Sequence, residues 1–290
     1  MNKLTLQKQS ISPSSLYSQC HILYNTNTVI KIIPYDTCYT KNIEYIICKK
    51  IMESQQNQRC TYSKSNIVDI YQIGIDIYKK EIIITMELLL VNYSYMNIID
   101  VMSGILQLHE LNIVYLDLKK DNLGYSIKDQ CFKLFDFNLS TILNHSNEHL
   151  YKYVPIYSRA PDIINKHNKN IDYSRITTKT DSWVLGMYLY DLIRNESLLY
   201  PEMNQMNLIE VPESYYNDIY NYEYMKHICK TYCGEYANII IDLLHPDANE
   251  RMSIDMCVSI IKYNHINSCI ECKDISWYEK LHFLWTISFT

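Results

Sequence analysis

The sequence predicts an α+β fold in which a small β-rich part comes first and a larger α-helical part second. Three observations predict it. Residues 20–36 and 66–90 are rich in β-branched and aromatic side chains interrupted by turn signals, as strands are. From Asn97 onward the apolar residues recur at helical spacing, with Ile98, Val101, Met102, Ile105 and Leu108 on one face. The period changes once, near residues 88–96, with no repeat and no low-complexity linker on either side. A single domain over 1–290 is therefore expected, divided into 1–87 and 88–290. Its 290 residues, 48% of them apolar, suffice for a sizeable core.

Each element has its own grounds. "CHILYNTNTVIKIIPYD" (20–36) reads as a hairpin about an Asn-Thr-Asn turn. Side chains alternate along a strand, so Val29, Lys31 and Ile33 share a face. An ammonium among apolar neighbours is costly unless it is paired. The following segment, "NIEYIICKKIM", has a helical period and opens with Glu44, a candidate partner. Residues 66–90 hold two or three further strands, with Lys79-Lys80 at a turn. The helix starting at Ile98 has Asn97 to cap it and Asp100 in its first turn, near the positive helix end. "CFKLFDFNLS" is a β-like run ending at Asp136, and the remainder is mostly helical.

Composition narrows the function classes. A net charge of −5 with 20% charged residues does not describe a nucleic-acid binder. The N-terminus lacks the apolar core of a signal peptide. The greasiest stretch, Trp183 to Ile193, carries Asp191 and is too short to span a bilayer. No membrane association and a cytoplasmic location are expected. The ten cysteines are scattered, as reduced thiols are in such a compartment. Cys229/Cys233 and Cys269/Cys272, with His227 and His265 nearby, allow a zinc reading, but buried or idle thiols are the favoured one. The bias toward Tyr, Ile, Asn and Lys fits an A+T-rich genome.

The chemistry concentrates in "IVYLDLKKDNLG" (113–124), where an apolar run delivers Asp117, then Lys119 and Asn122. With Asp136, these could meet at one mouth. Mg²⁺ takes hard oxygen ligands, commonly one or two carboxylates plus substrate phosphates, which suits Asn122 and Asp136. Asp117 is then free to accept a hydroxyl proton, and Lys119 to neutralise a phosphoryl group in transfer.

The chain resembles the eukaryotic-type protein kinases along nearly its whole length. The catalytic-loop pattern appears as Tyr115-Leu116-Asp117-Leu118-Lys119-Lys120-Asp121-Asn122, and the metal-binding triplet as Asp136-Phe137-Asn138. The end of the activation segment appears as Ala160-Pro161-Asp162, the buried helix motif as Asp181-Ser182-Trp183-Val184-Leu185-Gly186, and the late arginine as Arg251. Lys31 in "TVIK" and Glu44 match the strand lysine and its helix partner. Each motif alone is weak; their order and spacing are strong. The resemblance implies a bilobal fold binding Mg-ATP. Lys31 would hold the α- and β-phosphates and pair with Glu44, Asp117 would be the base, and Asn122 and Asp136 would bind Mg²⁺. Met86 falls at the gatekeeper position, and Glu87 to Leu89 at the hinge whose backbone meets adenine. Asp181 would brace the catalytic loop, and Asp162 would pair with Arg251.

Several positions depart from the family pattern. The glycine-rich loop is missing: the matching region, "PSSLYSQC", has Ser15 and Ser18 where glycines stand. Clamping of the phosphates should be looser, because glycine lets a backbone approach them. Asn138 replaces a glycine; asparagine tolerates left-handed backbone better than most residues. Leu116 replaces the arginine that gathers a phosphorylated activation loop, so that phosphorylation should matter little. Pro155 stands where a threonine is usual. Gly124 leaves the adenine floor small, and Val29 makes its roof bulkier, a compensation. Lys119 follows the Ser/Thr pattern, and the Ala-Pro-Asp segment argues against a small-molecule acceptor. The expected function is thus a Ser/Thr protein kinase acting on protein substrates; the alternative is a pseudokinase serving as a binding or scaffold module. Compact loops and composition resemble those of kinases encoded by large DNA viruses or parasites; a viral source would imply the host cytoplasm. His109 and Glu110 read as the end of a helix, Lys49-Lys50 as a solvated face, residues 213–225 as packed tyrosines, and the apolar tail as packing on the helical lobe.

Overall fold

The computed structural model describes residues 18–23, 26–36, 38–58, 64–91, 96–143, 159–164, 171–194 and 221–271. Ser15, Pro155 and the apolar tail from residue 272, with the larger part of the tyrosine-rich stretch, lie outside them.

The first part is an antiparallel sheet of β1 (Gln19–Leu23), β2 (Thr28–Pro34), β3 (Ile70–Asp76) and β4 (Glu81–Glu87), in the order β1-β2-β4-β3. The expected hairpin is β1–β2, with Cys20 opposite Lys31 and Ile22 opposite Val29. β4 pairs with both β2 and β3 and is the best-buried strand; Ile82 and Ile84 are fully enclosed. Helix α1 (Ile43–Gln58) lies between β2 and β3 in the chain and buries Glu44, Ile47, Cys48 and Ile51. Asn42 starts it, its Oδ1 accepting from Tyr45 N at 2.9 Å. Lys49 and Lys50 line a cleft of about 340 Å³ with Tyr45, Ile46 and Glu53 of the same helix.

The second part opens with α2 (Ile98–Glu110), where Asn97 Oδ1 accepts from Ile99 N as the sequence suggests. Asp100 also has a tertiary role, accepting from Phe132 N at 3.0 Å. Short strands follow: β5 (Ile113–Val114), β6 (Leu123–Ser126), β7 (Cys131–Leu134) and β8 (Thr141–Ile142). They pair as β5–β8 and β6–β7. Then come α3 (Thr178–Arg194), α4 (Tyr222–Tyr232), α5 (Ala237–Leu243) and α6 (Ile254–Glu271).

One apolar core runs from α1 and the sheet through α2 and β7 to α3 and α6; a second gathers Leu116, Trp183, Met225, Ile240 and Leu244. Gly104 on α2 lets that helix touch β7, since a Cβ there would lie 2.6 Å from Asn66 O and 2.9 Å from Leu134 Cδ1. No helix among the described residues is long and apolar enough to cross a membrane. Cys229 and Cys233 are buried free thiols, and burial pushes Cys229 up to about 12, while His227 is exposed on the other side of α4. The zinc reading therefore finds no support there.

Candidate active site

Two polar clusters meet where the sheet faces the β5–β8 and β6–β7 segments. The first centres on Lys31. Its ammonium donates to Glu44 Oε1 at 2.5 Å and to Asp136 Oδ1 at 2.8 Å. Strand alternation puts Lys31 inward, the first turn of α1 puts Glu44 above it, and the segment after β7 brings Asp136 from 105 residues away. Burial alone would lower the lysine's pKa; the two carboxylates more than offset this and hold it well above its ordinary value. Lys31 and Glu44 are enclosed, whereas the Asp136 side chain keeps 28% of its surface exposed.

The second cluster centres on Asp117, which is buried. Asn122 Nδ2 donates to its Oδ2 at 2.6 Å and its main-chain carbonyl at 2.9 Å, and Lys119 Nζ lies 3.1 Å from Oδ2. Phe135 N donates to Asn122 O at 3.1 Å, which joins this loop to the residue before Asp136. Asn122 Oδ1 and Asp136 Oδ2 have no protein partner among the described residues. Both are hard oxygen donors of the kind Mg²⁺ takes, so the donor set fits that ion.

The backbone around both clusters is strained and braced. Leu116 and Asp136 adopt left-handed φ of 66° and 61°, a conformation costly for residues with a side chain. The departure from glycine at Asn138 thus falls where no positive φ is needed; the left-handed residue of the triplet is Asp136. Asp181, buried at the start of α3, accepts from Tyr115 N and Leu116 N, both at 2.8 Å, and so holds the strained turn. Tyr115 OH donates to Phe135 O at 2.6 Å, a polar tie between the catalytic-loop segment and the residue before Asp136. His109 does more than end a helix: its Nε2 lies 2.8 Å from Asp181 Oδ2. Deeper in the helical part, Arg251 pairs with Asp162, donates to His245 O and Lys179 O, and lies 5.4 Å from the Trp183 ring centroid.

The other described candidates lie on β2, β4 and β6, just before β1, and in the segment that follows β4. Val29 faces Met86 across β2–β4. Gly124 is covered directly by Leu89, whose Cβ would lie 2.5 Å from a Cβ at 124. A leucine from the segment joining the two parts thus packs directly against Gly124. Leu88 N donates to Asn27 O, and Leu90 exchanges two bonds with Tyr125, while the Leu89 amide has no partner among the described residues. Ser18 is half-buried just before β1. Cys20 lies opposite Lys31 in the hairpin register.

The comparisons with known proteins agree with this geometry. A protein kinase domain model matches residues 8–261. The chain is 25% identical over 157 residues to myosin light chain kinase 2, skeletal/cardiac muscle, of Mus musculus, covering 54% of this chain and 24% of that protein. It is 28% identical over 153 residues to the calcium and calcium/calmodulin-dependent serine/threonine-protein kinase DMI-3 of Medicago truncatula, covering 52% and 27%. It is 33% identical over 96 residues to calcium-dependent protein kinase 4 of Plasmodium berghei (strain Anka), covering 32% and 17%. The matched stretches therefore span about a quarter or less of each relative's length. With a family model matching most of the chain and a two-part α+β architecture behind it, this protein belongs to the protein kinase domain family.

Proposed function

We propose that the chain is an active Ser/Thr protein kinase that transfers the γ-phosphoryl group of ATP to protein hydroxyls, uses Mg²⁺, and needs no activation-loop phosphorylation. The observation that carries this reading is Lys31 bonded at once to Glu44 and Asp136, beside an Asp117 held by Asn122 and Lys119. In the mechanism the acceptor hydroxyl oxygen attacks the γ-phosphorus as the bond to the β–γ bridging oxygen breaks. Asp117 takes the hydroxyl proton and ADP leaves. Lys31 neutralises the α- and β-phosphates, oriented by Glu44. Lys119, half-exposed beside Asp117, balances charge on the group in transfer. Asn122 and Asp136 would hold Mg²⁺, which supplies charge neutralisation on the phosphates. Glu87 and Leu89 would meet adenine through their backbones, beneath Val29 and beside Met86, over Gly124; Ser15 and Ser18 would stand near the phosphates.

Independence from phosphorylation rests on Leu116. Its side chain is apolar and buried in the helical core, so it offers no cation to a phosphorylated residue. The Asp181 carboxylate already fixes the turn at this position. The Ser/Thr assignment rests on Lys119 and on the similarity to a relative that is a serine/threonine-protein kinase.

Incubation with γ-labelled ATP, Mg²⁺ and mixed protein acceptors, followed by phosphoamino-acid analysis, tests the class. Labelled phosphoserine or phosphothreonine is expected. Phosphotyrosine alone, or a low-molecular-weight acceptor outperforming all proteins, would overturn it. Partner binding with no turnover would favour the scaffold alternative.

A further inference from the structure

Outside the motif residues, the most enclosed charge among the described residues is Lys133 on β7, whose side chain has no exposed surface. Its ammonium lies 2.8 Å from Glu87 Oε2 and 3.3 Å from Asp69 Oδ1, and pairs with Asp129 as well. The three carboxylates lie close enough together to cradle a divalent ion, but the lysine occupies that position and acts as the built-in cation. Burial would lower its pKa; the surrounding carboxylates reverse that and keep it charged. Around this group Ser126 Oγ donates to Glu87 Oε1 at 2.5 Å, and Lys128 pairs with Asp69 Oδ2 at 2.9 Å.

The origins of these groups give the cluster its meaning. Asp69 precedes β3, and Glu87 ends β4 and begins the strip that connects the two parts. Ser126, Lys128, Asp129 and Lys133 all belong to the β6–β7 hairpin of the helical part. A buried ion cluster stabilises little more than apolar packing of the same volume, so stability alone does not account for it. Its geometric effect is specific. Glu87 is pinned through its side chain, Leu88 through Asn27 and Leu90 through Tyr125. Among residues 87–90, only the Leu89 amide has no partner among the described residues, and it is held between tethers on either side.

We infer that Lys133 is a positioning residue for the nucleotide: acting through Glu87, it fixes the strip whose Leu89 amide meets the base. This rests on the nucleotide-site reading above. The test uses the full chain, with Lys133→Met, Lys133→Arg, and Asp129→Asn as the variant that disturbs folding least. Mg-ADP affinity by titration calorimetry, KM for ATP and kcat are measured for each. Lys133→Met should raise Kd and KM together by about tenfold while kcat at saturating ATP moves far less. Lys133→Arg should recover much of the loss, and Asp129→Asn should show the same pattern, smaller. If the unfolding midpoint falls while Kd and KM stay at wild-type values, the role is only structural and the inference is overturned. If Lys133→Met does not fold, an unchanged Kd in Asp129→Asn overturns it just as well. Wild-type protein that binds no nucleotide would overturn the site reading and this inference together.

Discussion

Tyr115 shows how much one side chain contributes beyond its type. The sequence marks it as the aromatic first residue of the catalytic-loop pattern. The structure shows a fully buried phenol whose hydroxyl donates to Phe135 O, the carbonyl just before Asp136. Tyr115→Phe keeps the ring and its edge contact with Phe137 but leaves that carbonyl without its partner. A loss of about 1–3 kcal/mol in unfolding free energy is expected, read from the urea midpoint, and an unchanged midpoint would show the bond to be worth little. Lys31 and Glu44 were legible at this scale because an inward lysine on a strand demands a partner. Lys133 was not. It sits in "CFKLF" as one polar residue among apolar ones, and two of the carboxylates that receive it, Asp69 and Glu87, are distant in sequence. His109 was hidden likewise, its partner Asp181 lying 72 residues on.

The longer elements followed from their periods. The β1–β2 hairpin, α1, β4 and α2 with its Asn97 cap sit where alternation and helical spacing put them. The two-residue strands β5 and β8 are too short to carry any period, and only tertiary pairing defines them. The contact of α2 with β7 was equally silent in the sequence, since a glycine within a helix reads as a weak helix former. Gly104→Ala adds a methyl group 2.6 Å from a carbonyl oxygen that cannot easily move. Although alanine favours helix, the overpacking should win and destabilise the protein by about 1–3 kcal/mol, as measured by thermal or denaturant unfolding. A gain in stability would mean that α2 and β7 are not packed this closely.

At the scale of the molecule, the sequence motifs lie on both parts and come together only in the fold. Lys31 and Glu44 belong to the sheet and its helix; Asp117, Lys119, Asn122 and Asp136 belong to the segments after α2. The Lys31–Asp136 bond closes the gap between them, and the Glu87–Lys133 group ties the same two parts behind the connecting strip. The relative order of the two parts was readable from the change of period, but the tie was not, because it depends on side chains that meet only after both have folded. The account stands on Asp117 acting as the base within this assembled cleft. The most direct measurement is single-turnover phosphate transfer from Mg-ATP by wild-type protein and Asp117→Asn, with nucleotide affinity measured in parallel. The account predicts that nucleotide affinity is kept within a few-fold while the transfer rate falls by at least about 10²-fold. Transfer by Asp117→Asn at the wild-type rate would contradict it.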